Sequence, residues 1–374
     1  MSRFFDLVTK PARDMGIPQP APAMPKPIPQ PALIKLDSNE NPLGPSPRAV
    51  EAMRRAISNV HTYPDNDCAE LRARLAAHHD VPMEQILASA GSTGIISLLC
   101  QTLLAPGLNA VTSEKSFVVY GMAVRSIGAE LLEAPMRDDA FDLAAILQAI
   151  NEHTRLIFLA NPNNPTGTIV DADQVERFLE EIPGHVVVVL DEAYYDFANY
   201  FAHRRGANYS RSLDWVRKGR GLVVLRTFSK AHGLAGLRIG YGIGPSELLS
   251  YCARMQSTFT VSSIALEAAL ASVDDQNHIK RTVANNAEQA QVLGVGLSEL
   301  GFRVVPTWTN FLYCDLAADA TAVAQQLRQE GVSIRPLGAW GAPNCIRVSI
   351  GTPQQNERFL ETIRRISQSL HRRG

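Results

Sequence analysis

The feature that most constrains the fold is a series of short apolar segments, each ending in a polar turn. Residues 186–190 are four valines and a leucine, and residues 156–159 and 221–225 are similar. Uninterrupted apolar runs are typical of strands covered on both faces, as in a parallel sheet. Helical patterns, such as that of residues 47–57, alternate with these runs from about residue 48 to 255. The alternation predicts an α/β fold with a doubly wound, mostly parallel sheet.

The length of the chain predicts more than one domain. At 374 residues it exceeds what a single hydrophobic core usually organises. We predict an N-terminal proline-rich arm over residues 1–45, a large domain over 46–260, and a smaller α/β C-terminal domain over 261–374. The arm has eight prolines between residues 11 and 31, which favours an extended polyproline II segment lying on the body or on a partner subunit. A long helical stretch over 262–300 would lead into the smaller domain.

Composition excludes several functional classes. The formal net charge of −1 offers no electrostatic basis for binding nucleic acid or an anionic membrane. Five scattered cysteines without a C-x-x-C pair argue against a disulfide framework and a zinc site, and indicate a reducing compartment. The N-terminus is too short and too polar for a signal-peptide core. We therefore predict a cytoplasmic protein with no metal site.

Lys230 is the first candidate catalytic residue. It follows the apolar run 221–225 and precedes a glycine-spaced turn. A lysine amine held at a strand end can form a Schiff base with an aldehyde. Ser229 and Arg238 flank it with a hydroxyl and a bidentate guanidinium, the donors that a phosphate monoester needs. A lysine after a strand is most often a surface residue, so a catalytic role for Lys230 needs support from other segments of the sequence.

Two more strand ends carry polar side chains. Asp191 follows the run 186–190, at the edge where open α/β sheets bind their ligands. A buried carboxylate at that place needs a cationic partner, although Asp191 could instead cap the next segment. Asn164 belongs to the Asn-Pro-Thr-Gly turn after the run 156–159, and Tyr194 follows Asp191 closely.

A third polar turn precedes a helical pattern. Gly91, Ser92 and Thr93 lie just before the apolar residues of 95–104. The free N–H groups at such a loop-to-helix junction bind phosphate, but an ordinary helix cap has much the same composition.

Taken together and in this order, these segments resemble the fold type I pyridoxal-phosphate (PLP) aminotransferases, and within them the histidinol-phosphate aminotransferase family. The resemblance extends from residues 36–47 to residues 346–352. It implies a large PLP-binding domain with a seven-stranded-type sheet, a smaller C-terminal domain, and pyridoxal 5'-phosphate as cofactor. It also implies a homodimer with shared active sites.

The resemblance assigns a role to each motif. Lys230 would be the Schiff-base lysine and Asp191 the partner of the ring nitrogen. Asn164 and Tyr194 would contact the ring oxygen, and Phe117 would stack on the ring unless it is an ordinary core residue. The residues implied for the cofactor phosphate are Gly91, Ser92, Thr93, Ser229, Arg238 and, from a second subunit, Tyr63.

Two arginines are the candidates for substrate recognition. Arg335 and Arg347 each lie in an apolar, strand-like segment, and a buried arginine needs an anion because its charge cannot be neutralised. A structural salt bridge is the alternative for either one. The resemblance implies that they bind the anionic groups of the substrates, together with Asn39 of the first motif. Thr260 departs from the family pattern, which usually has asparagine there, and leaves the exact amine open.

The implied function is ping-pong transamination, with histidinol phosphate and 2-oxoglutarate giving imidazole acetol phosphate and glutamate. Small-molecule amines and 2-oxo acids would be the only other partners. Alternatives within the family are an aromatic amino-acid aminotransferase and a phospho-amino-acid decarboxylase. A non-catalytic, PLP-binding regulatory protein is the alternative outside enzymes.

Overall fold

A computed structural model describes residues 8–15 and 33–371. In these residues the α-helices are α1 (Lys10–Asp14), α2 (Pro47–Ala56), α3 (Ala69–His79), α4 (Gly91–Leu103), α5 (Val118–Ser126), α6 (Leu143–Ala149), α7 (Ala172–Glu181), α8 (Tyr195–Arg205), α9 (Ser212–Arg217), α10 (Ser246–Arg254), α11 (Ser263–Val273), α12 (Gln276–Ser298), α13 (Ala320–Gln329) and α14 (Pro353–His371). The strands are β1 (Ile34–Lys35), β2 (Ile86–Ser89), β3 (Asn109–Ser113), β4 (Glu130–Ala134), β5 (Met136–Arg137), β6 (Ala140–Phe141), β7 (Thr154–Ala160), β8 (Val187–Asp191), β9 (Leu222–Thr227), β10 (Gly240–Ile243), β11 (Arg303–Val305), β12 (Phe311–Asp315), β13 (Val332–Ser333), β14 (Arg335–Leu337) and β15 (Ala342–Ser349).

A seven-stranded sheet forms the centre of the larger domain, in the order β2-β10-β9-β8-β7-β3-β4. β10 is antiparallel to both of its neighbours, and the pairs from β9 to β4 are parallel. The apolar runs that predicted the sheet form its middle strands, β7, β8 and β9, whose side chains are almost all buried. The prediction of a doubly wound, mostly parallel sheet is confirmed.

A second core belongs to the C-terminal part of the chain. Its antiparallel sheet has the order β11-β12-β15-β14, and α12, α13 and α14 pack around it. The helical stretch expected over 262–300 is two helices, because the Asp275 side chain accepts a hydrogen bond from the His278 N–H and caps a new helix. Helix α11 packs on α2 in the first core, which therefore extends as far as Val273.

The N-terminal strap, residues 36–45, connects the two cores. It follows β1, which pairs in parallel with β13 of the smaller domain, and Leu36 is buried in the second core. At its other end Gly44 lies against Gly233, where a Cβ atom would be 2.2 Å from the Gly44 carbonyl oxygen. Only glycine fits there, and its φ of +72° is also a glycine conformation. The arm and domain limits at 45 and 260 stay a prediction, and most of the arm lies outside the described residues.

Glu192 and Arg226 form a buried ion pair behind the ends of β8 and β9. Arg226 Nη2 lies 2.6 Å from Glu192 Oε2, and its guanidinium carbon lies 3.4 Å from the centre of the Tyr195 ring. Ser210 and Ser212 donate further hydrogen bonds to the Glu192 carboxylate. The pair is thus desolvated, and hydrogen bonds from Arg226 Nε and the two serines satisfy the Glu192 carboxylate, which favours a buried ion pair.

Removing one member should be severely destabilising. We expect Glu192→Ala to lower the free energy of unfolding by about 3–5 kcal/mol, because Arg226 would keep a buried charge without its partner. Glu51→Ala is the matched control: it breaks an exposed pair with Arg55 and should cost about 0.5 kcal/mol or less. Urea unfolding at pH 7 measures both. Equal losses in the two variants would contradict the assignment of Arg226 as a desolvated charge.

The structure also bears on compartment and membrane association. All five cysteines are buried and unpaired. Among the residues described, none of the helices has the length and apolarity needed to span a bilayer.

Candidate active site

A cavity of about 300 Å³ opens at the carboxyl ends of β7, β8 and β9, where the larger sheet faces the smaller domain. Parallel strands present polar residues at this edge, because each strand ends there in a turn. The strap covers one side and Arg347 of β15 closes another. The predicted site residues that line the cavity are Asn39, Ser92, Thr93, Phe117, Asn164, Asp191, Tyr194, Ser229, Lys230, Arg238 and Arg347.

Lys230 lies in the turn after β9, and its amine points to the strap. Nζ donates to the carbonyl oxygens of Asn39 at 3.1 Å and Ser38 at 3.4 Å. Burial, followed by the positive charge of Arg347, lowers the pKa of the amine to about 7. A substantial fraction of this lysine is therefore neutral and nucleophilic near neutral pH, as a carbonyl-attacking amine must be.

Asp191 is the last residue of β8 and is buried at the floor of the cavity. Oδ2 accepts a hydrogen bond from Tyr120 Oη at 2.8 Å, and Oδ1 accepts one from the Ala193 N–H at 3.1 Å. Burial raises the pKa of the carboxyl to about 6 in spite of these donors. Neither donor is a cation, so the site favours a ligand that presents a positive group to this carboxylate.

An anion cradle, made of Ser92, Thr93, Ser229 and Arg238, lies at the start of α4. The unpaired N–H groups of the helix, three hydroxyls and a guanidinium meet here, which is the donor set of a phosphate site. Arg238 Nη1 lies 3.3 Å from Ser229 Oγ. Gly91 does not line the cavity, but it allows the approach: a Cβ atom on it would lie 2.8 Å from Arg238 Nη2, and its φ is +78°.

Arg347 extends from β15 into the cavity and is 6% exposed. Nη1 donates to Asn164 Oδ1 at 2.6 Å and Nη2 to the Asp37 carbonyl oxygen at 2.9 Å. Among the described residues, Nε has no hydrogen-bond partner. Burial is the main reason why the pKa of the guanidinium is lowered to about 10. A buried guanidinium with an unused donor and no carboxylate partner fits an anionic substrate group.

Asn39 holds other residues of the site in place. Its side chain is buried; Nδ2 donates to Tyr194 Oη at 2.9 Å, and its backbone N–H donates to Ser349 Oγ at 2.8 Å. Its carbonyl oxygen accepts from Asn310 as well as from Lys230. Its φ of +55° is a conformation that asparagine tolerates. A contact with substrate remains a prediction for Asn39, whereas its contact with Tyr194 is part of the structure.

Besides Gly91, two predicted site residues lie outside the cavity. Arg335 is on the edge strand β14 and is exposed, so the expectation that it is buried is wrong; its Nε lies 3.4 Å from the Asp37 carbonyl oxygen. β14 has a neighbour on one side only, which leaves the arginine in water. Tyr63 is 81% exposed and stacks on Phe259, with ring centroids 4.4 Å apart. Tyr63 therefore contributes nothing to the cavity of its own chain.

Sequence reasoning assigned no role to several residues at or beside the site, among them Tyr120, Glu40 and Asp37. Tyr120 is three residues after Phe117 and thus on the same face of α5, a spacing that could have revealed it. Asp37 and Glu40 belong to the first motif. Burial opposes ionisation of Asp37, but hydrogen bonds from Ser333 and Ser38 lower the pKa of its carboxyl below the usual value. In the described part of the chain, no cluster of metal-ligating side chains is present.

Comparison with known proteins agrees with this geometry. The family model for aminotransferase class I and II matches residues 31–363. A relative from Pseudomonas aeruginosa named histidinol-phosphate aminotransferase 2 is 42% identical, over 95% of this chain and 92% of that protein. One with the same name from Pseudomonas fluorescens is 40% identical, over 89% of each chain. The chain belongs to the class I and II aminotransferases, and within them to the histidinol-phosphate aminotransferase family.

Solved structures confirm the fold of this aminotransferase. The histidinol-phosphate aminotransferase of Sinorhizobium meliloti, solved in complex with pyridoxal-5'-phosphate, superposes with a TM-score of 0.88 and 27% identity, over 98% of this chain and 99% of that chain. An aspartate aminotransferase from Thermus thermophilus shares the fold, with a TM-score of 0.81 at 23% identity, over 96% of this chain and 99% of that one. The predicted fold type I architecture and the prediction of an aminotransferase are confirmed.

The lowered pKa of Lys230 can be tested in cofactor-free protein. Amine reagents attack the neutral form, so labelling of Lys230 should rise with pH and reach half of its maximum near pH 7. Arg347→Leu should move this midpoint to higher pH, because it removes a positive charge that disfavours the protonated amine. Arg335→Leu, which removes an exposed arginine of the neighbouring strand, is the control and should leave the midpoint in place. Mass spectrometry of the labelled peptide gives the midpoints, and a value near 10 in the unmutated protein would contradict the assignment.

Proposed function

We propose that this aminotransferase catalyses PLP-dependent, ping-pong transamination of histidinol phosphate with 2-oxoglutarate, a step of histidine biosynthesis. The observation that carries the proposal is the pairing of a partly neutral lysine amine with a buried carboxylate in one cavity beside an anion cradle. The names of relatives that are 40–42% identical point to the same substrate.

The cavity fits pyridoxal 5'-phosphate group by group. The anion cradle would bind the phosphate, and Asp191 would face the protonated ring nitrogen, which is the cation that its carboxylate lacks. Lys230 would bind the aldehyde carbon covalently. Tyr194 and Asn164 would donate to the ring oxygen, and Phe117 would cover one face of the ring. When bound, PLP withdraws electrons from the substrate carbon that loses its proton.

The other chemical work falls to Lys230 and Tyr194. The free Lys230 amine would take the proton from the substrate carbon onto Nζ, and the resulting ammonium would release it again, because a pKa of about 7 suits both directions. The carbonyl oxygens of Asn39 and Ser38 accept hydrogen bonds from Nζ and so orient the amine. Tyr194 keeps its hydroxyl proton, since burial raises its pKa to about 12.

Arg347 would bind the anionic group of each substrate in turn. Its free Nε faces no carboxylate, so the phosphate of histidinol phosphate or a carboxylate of glutamate could occupy the same guanidinium. Asn164 would have to share Arg347 with the substrate. Arg335, exposed beside Asp37, would reach only a group that extends to the mouth of the cavity.

A homodimer is part of the proposal. Tyr63 and Phe259 present a stacked aromatic pair on the surface, and Tyr63 of a second copy could complete the phosphate site. Five buried, unpaired cysteines suit a cytoplasmic enzyme.

Half-reactions distinguish this proposal from its alternatives. Histidinol phosphate, phenylalanine, tyrosine and glutamate should each convert the bound cofactor to its aminated form, with histidinol phosphate giving the largest rate constant divided by Kd. Stopped-flow absorbance measures the conversion. Preference for phenylalanine or tyrosine would identify an aromatic aminotransferase, release of carbon dioxide a decarboxylase, and cofactor binding without turnover a regulatory protein.

The two arginines should separate kinetically. Arg347→Ala should reduce kcat/KM for every substrate. The corresponding loss of transition-state stabilisation should be about 2–5 kcal/mol, as when one partner of a buried charge pair is truncated. Arg335→Ala should reduce this stabilisation for histidinol phosphate by at most roughly 1 kcal/mol, as for an exposed pair, and leave an uncharged aromatic amine unaffected. Steady-state kinetics with both amines measures these values. A larger loss in Arg335→Ala than in Arg347→Ala would reverse the assignment of the substrate anion.

A further inference from the structure

Tyr120 is one of the residues that line the cavity, and its hydroxyl contacts Asp191. Its ring is fully buried and lies parallel to that of Phe158, with centroids 4.6 Å apart and an interplanar angle of 7°. The ring edge meets Phe117 at 5.5 Å. Packing on two sides leaves the hydroxyl one direction to point, and it donates to Asp191 Oδ2 at 2.8 Å.

This hydrogen bond acts on the charge of Asp191. Burial disfavours the carboxylate, and Glu192 at the same strand end adds a like charge; Tyr120, the Ala193 N–H and Lys230 favour the ionised form. Tyr194, another titratable neighbour, stays protonated. Burial likewise raises the pKa of Tyr120 well above its usual value, so its hydroxyl remains a donor over the whole working pH range. Tyr120 is thus the side-chain donor that offsets the burial of Asp191.

The basicity of the Asp191 carboxylate decides whether a proton shared with the ring nitrogen of bound PLP resides on the carboxylate or on the nitrogen. A carboxyl group with a pKa near 6 is close in basicity to a pyridine nitrogen, so a proton shared between them could reside on either atom. A hydrogen bond to the carboxylate weakens it as a base and leaves the proton on the nitrogen. One hydrogen bond to a charged group changes such an equilibrium by roughly 10- to 100-fold.

We propose that Tyr120 is a positioning residue for Asp191: its hydroxyl keeps the carboxylate ionised and oriented, so that a proton shared with the ring nitrogen of bound PLP stays on the nitrogen. The inference rests on the proposed cofactor but not on the amine that the enzyme prefers. In this role Tyr120 acts on the ring nitrogen through Asp191.

Tyr120→Phe tests the proposal with the holoenzyme. The variant keeps the packing on Phe158 and removes only the hydroxyl. With PLP labelled with ¹⁵N in the ring, the nitrogen signal of the unmutated enzyme should be that of the protonated ring. In Tyr120→Phe this signal should shift towards that of the unprotonated ring. The ratio of protonated to unprotonated nitrogen should fall by roughly 10- to 100-fold. The rates of the two half-reactions should fall by one common factor, because both use the same ring.

Two further variants keep the test specific. Tyr241→Phe removes another buried tyrosine hydroxyl, which bonds to His79 at 2.8 Å outside the cavity, and should leave the nitrogen signal unchanged. In an Asp191→Asn background, Tyr120→Phe should add no further change to the signal, because the carboxylate through which it acts is gone.

The outcomes separate this inference from the proposed function. An unchanged nitrogen signal in Tyr120→Phe, an equal change in Tyr241→Phe, or a further change in the Asp191→Asn background would each overturn the role of Tyr120 alone. So would a fall in one half-reaction without the other. An enzyme that does not take up PLP would overturn both proposals, and a preference for another amine would overturn only the substrate.

Discussion

The site depends on two ionisable side chains being withdrawn from water at the ends of neighbouring strands. Asp191 ends β8 and Lys230 follows β9, and burial moves their pKa values towards each other, to about 6 and about 7. Desolvation of this kind is costly unless hydrogen bonds or a ligand compensate for it. The structure provides Tyr120 for the carboxylate and the carbonyl oxygens of the strap for the amine. A cofactor with a cationic ring and a carbonyl carbon would complete the compensation.

The strap explains how the smaller domain takes part in this chemistry. Asn39 contacts Tyr194 of the larger domain and Ser349 of the smaller one, and its carbonyl oxygen accepts from Lys230. Asp37 accepts at its carbonyl oxygen from Arg347. A change in the position of the smaller domain would therefore act on the Lys230 amine and on the Arg347 guanidinium together.

Buried charges behind the site fulfil a different function. Glu192 is adjacent to Asp191, but its carboxylate forms an ion pair with Arg226 and accepts hydrogen bonds from two serines. Asp191 lines the cavity and Glu192 does not, although the negative charge of Glu192 contributes to raising the pKa of Asp191. Adjacent residues at one strand end thus have opposite roles because successive side chains of a strand point to opposite faces.

The sequence by itself determined the class of fold and the residues at the strand ends, because apolar runs covered on both faces predict parallel strands and a strand ends where polar residues begin. Lys230, Asp191 and the residues of the anion cradle could be named in this way, and the family resemblance assigned their roles.

The tertiary structure decided what depends on distant neighbours. It placed Arg335 in water on an edge strand and Arg347 in the cavity, although both segments have the same apolar pattern. It also brought Tyr120 to Asp191 and Asn39 to Lys230 across 71 and 191 residues of chain. The local sequence pattern predicts whether a segment is buried. Tertiary packing determines which residues become neighbours, and those neighbours set the pKa of a side chain or leave one of its donors without a partner.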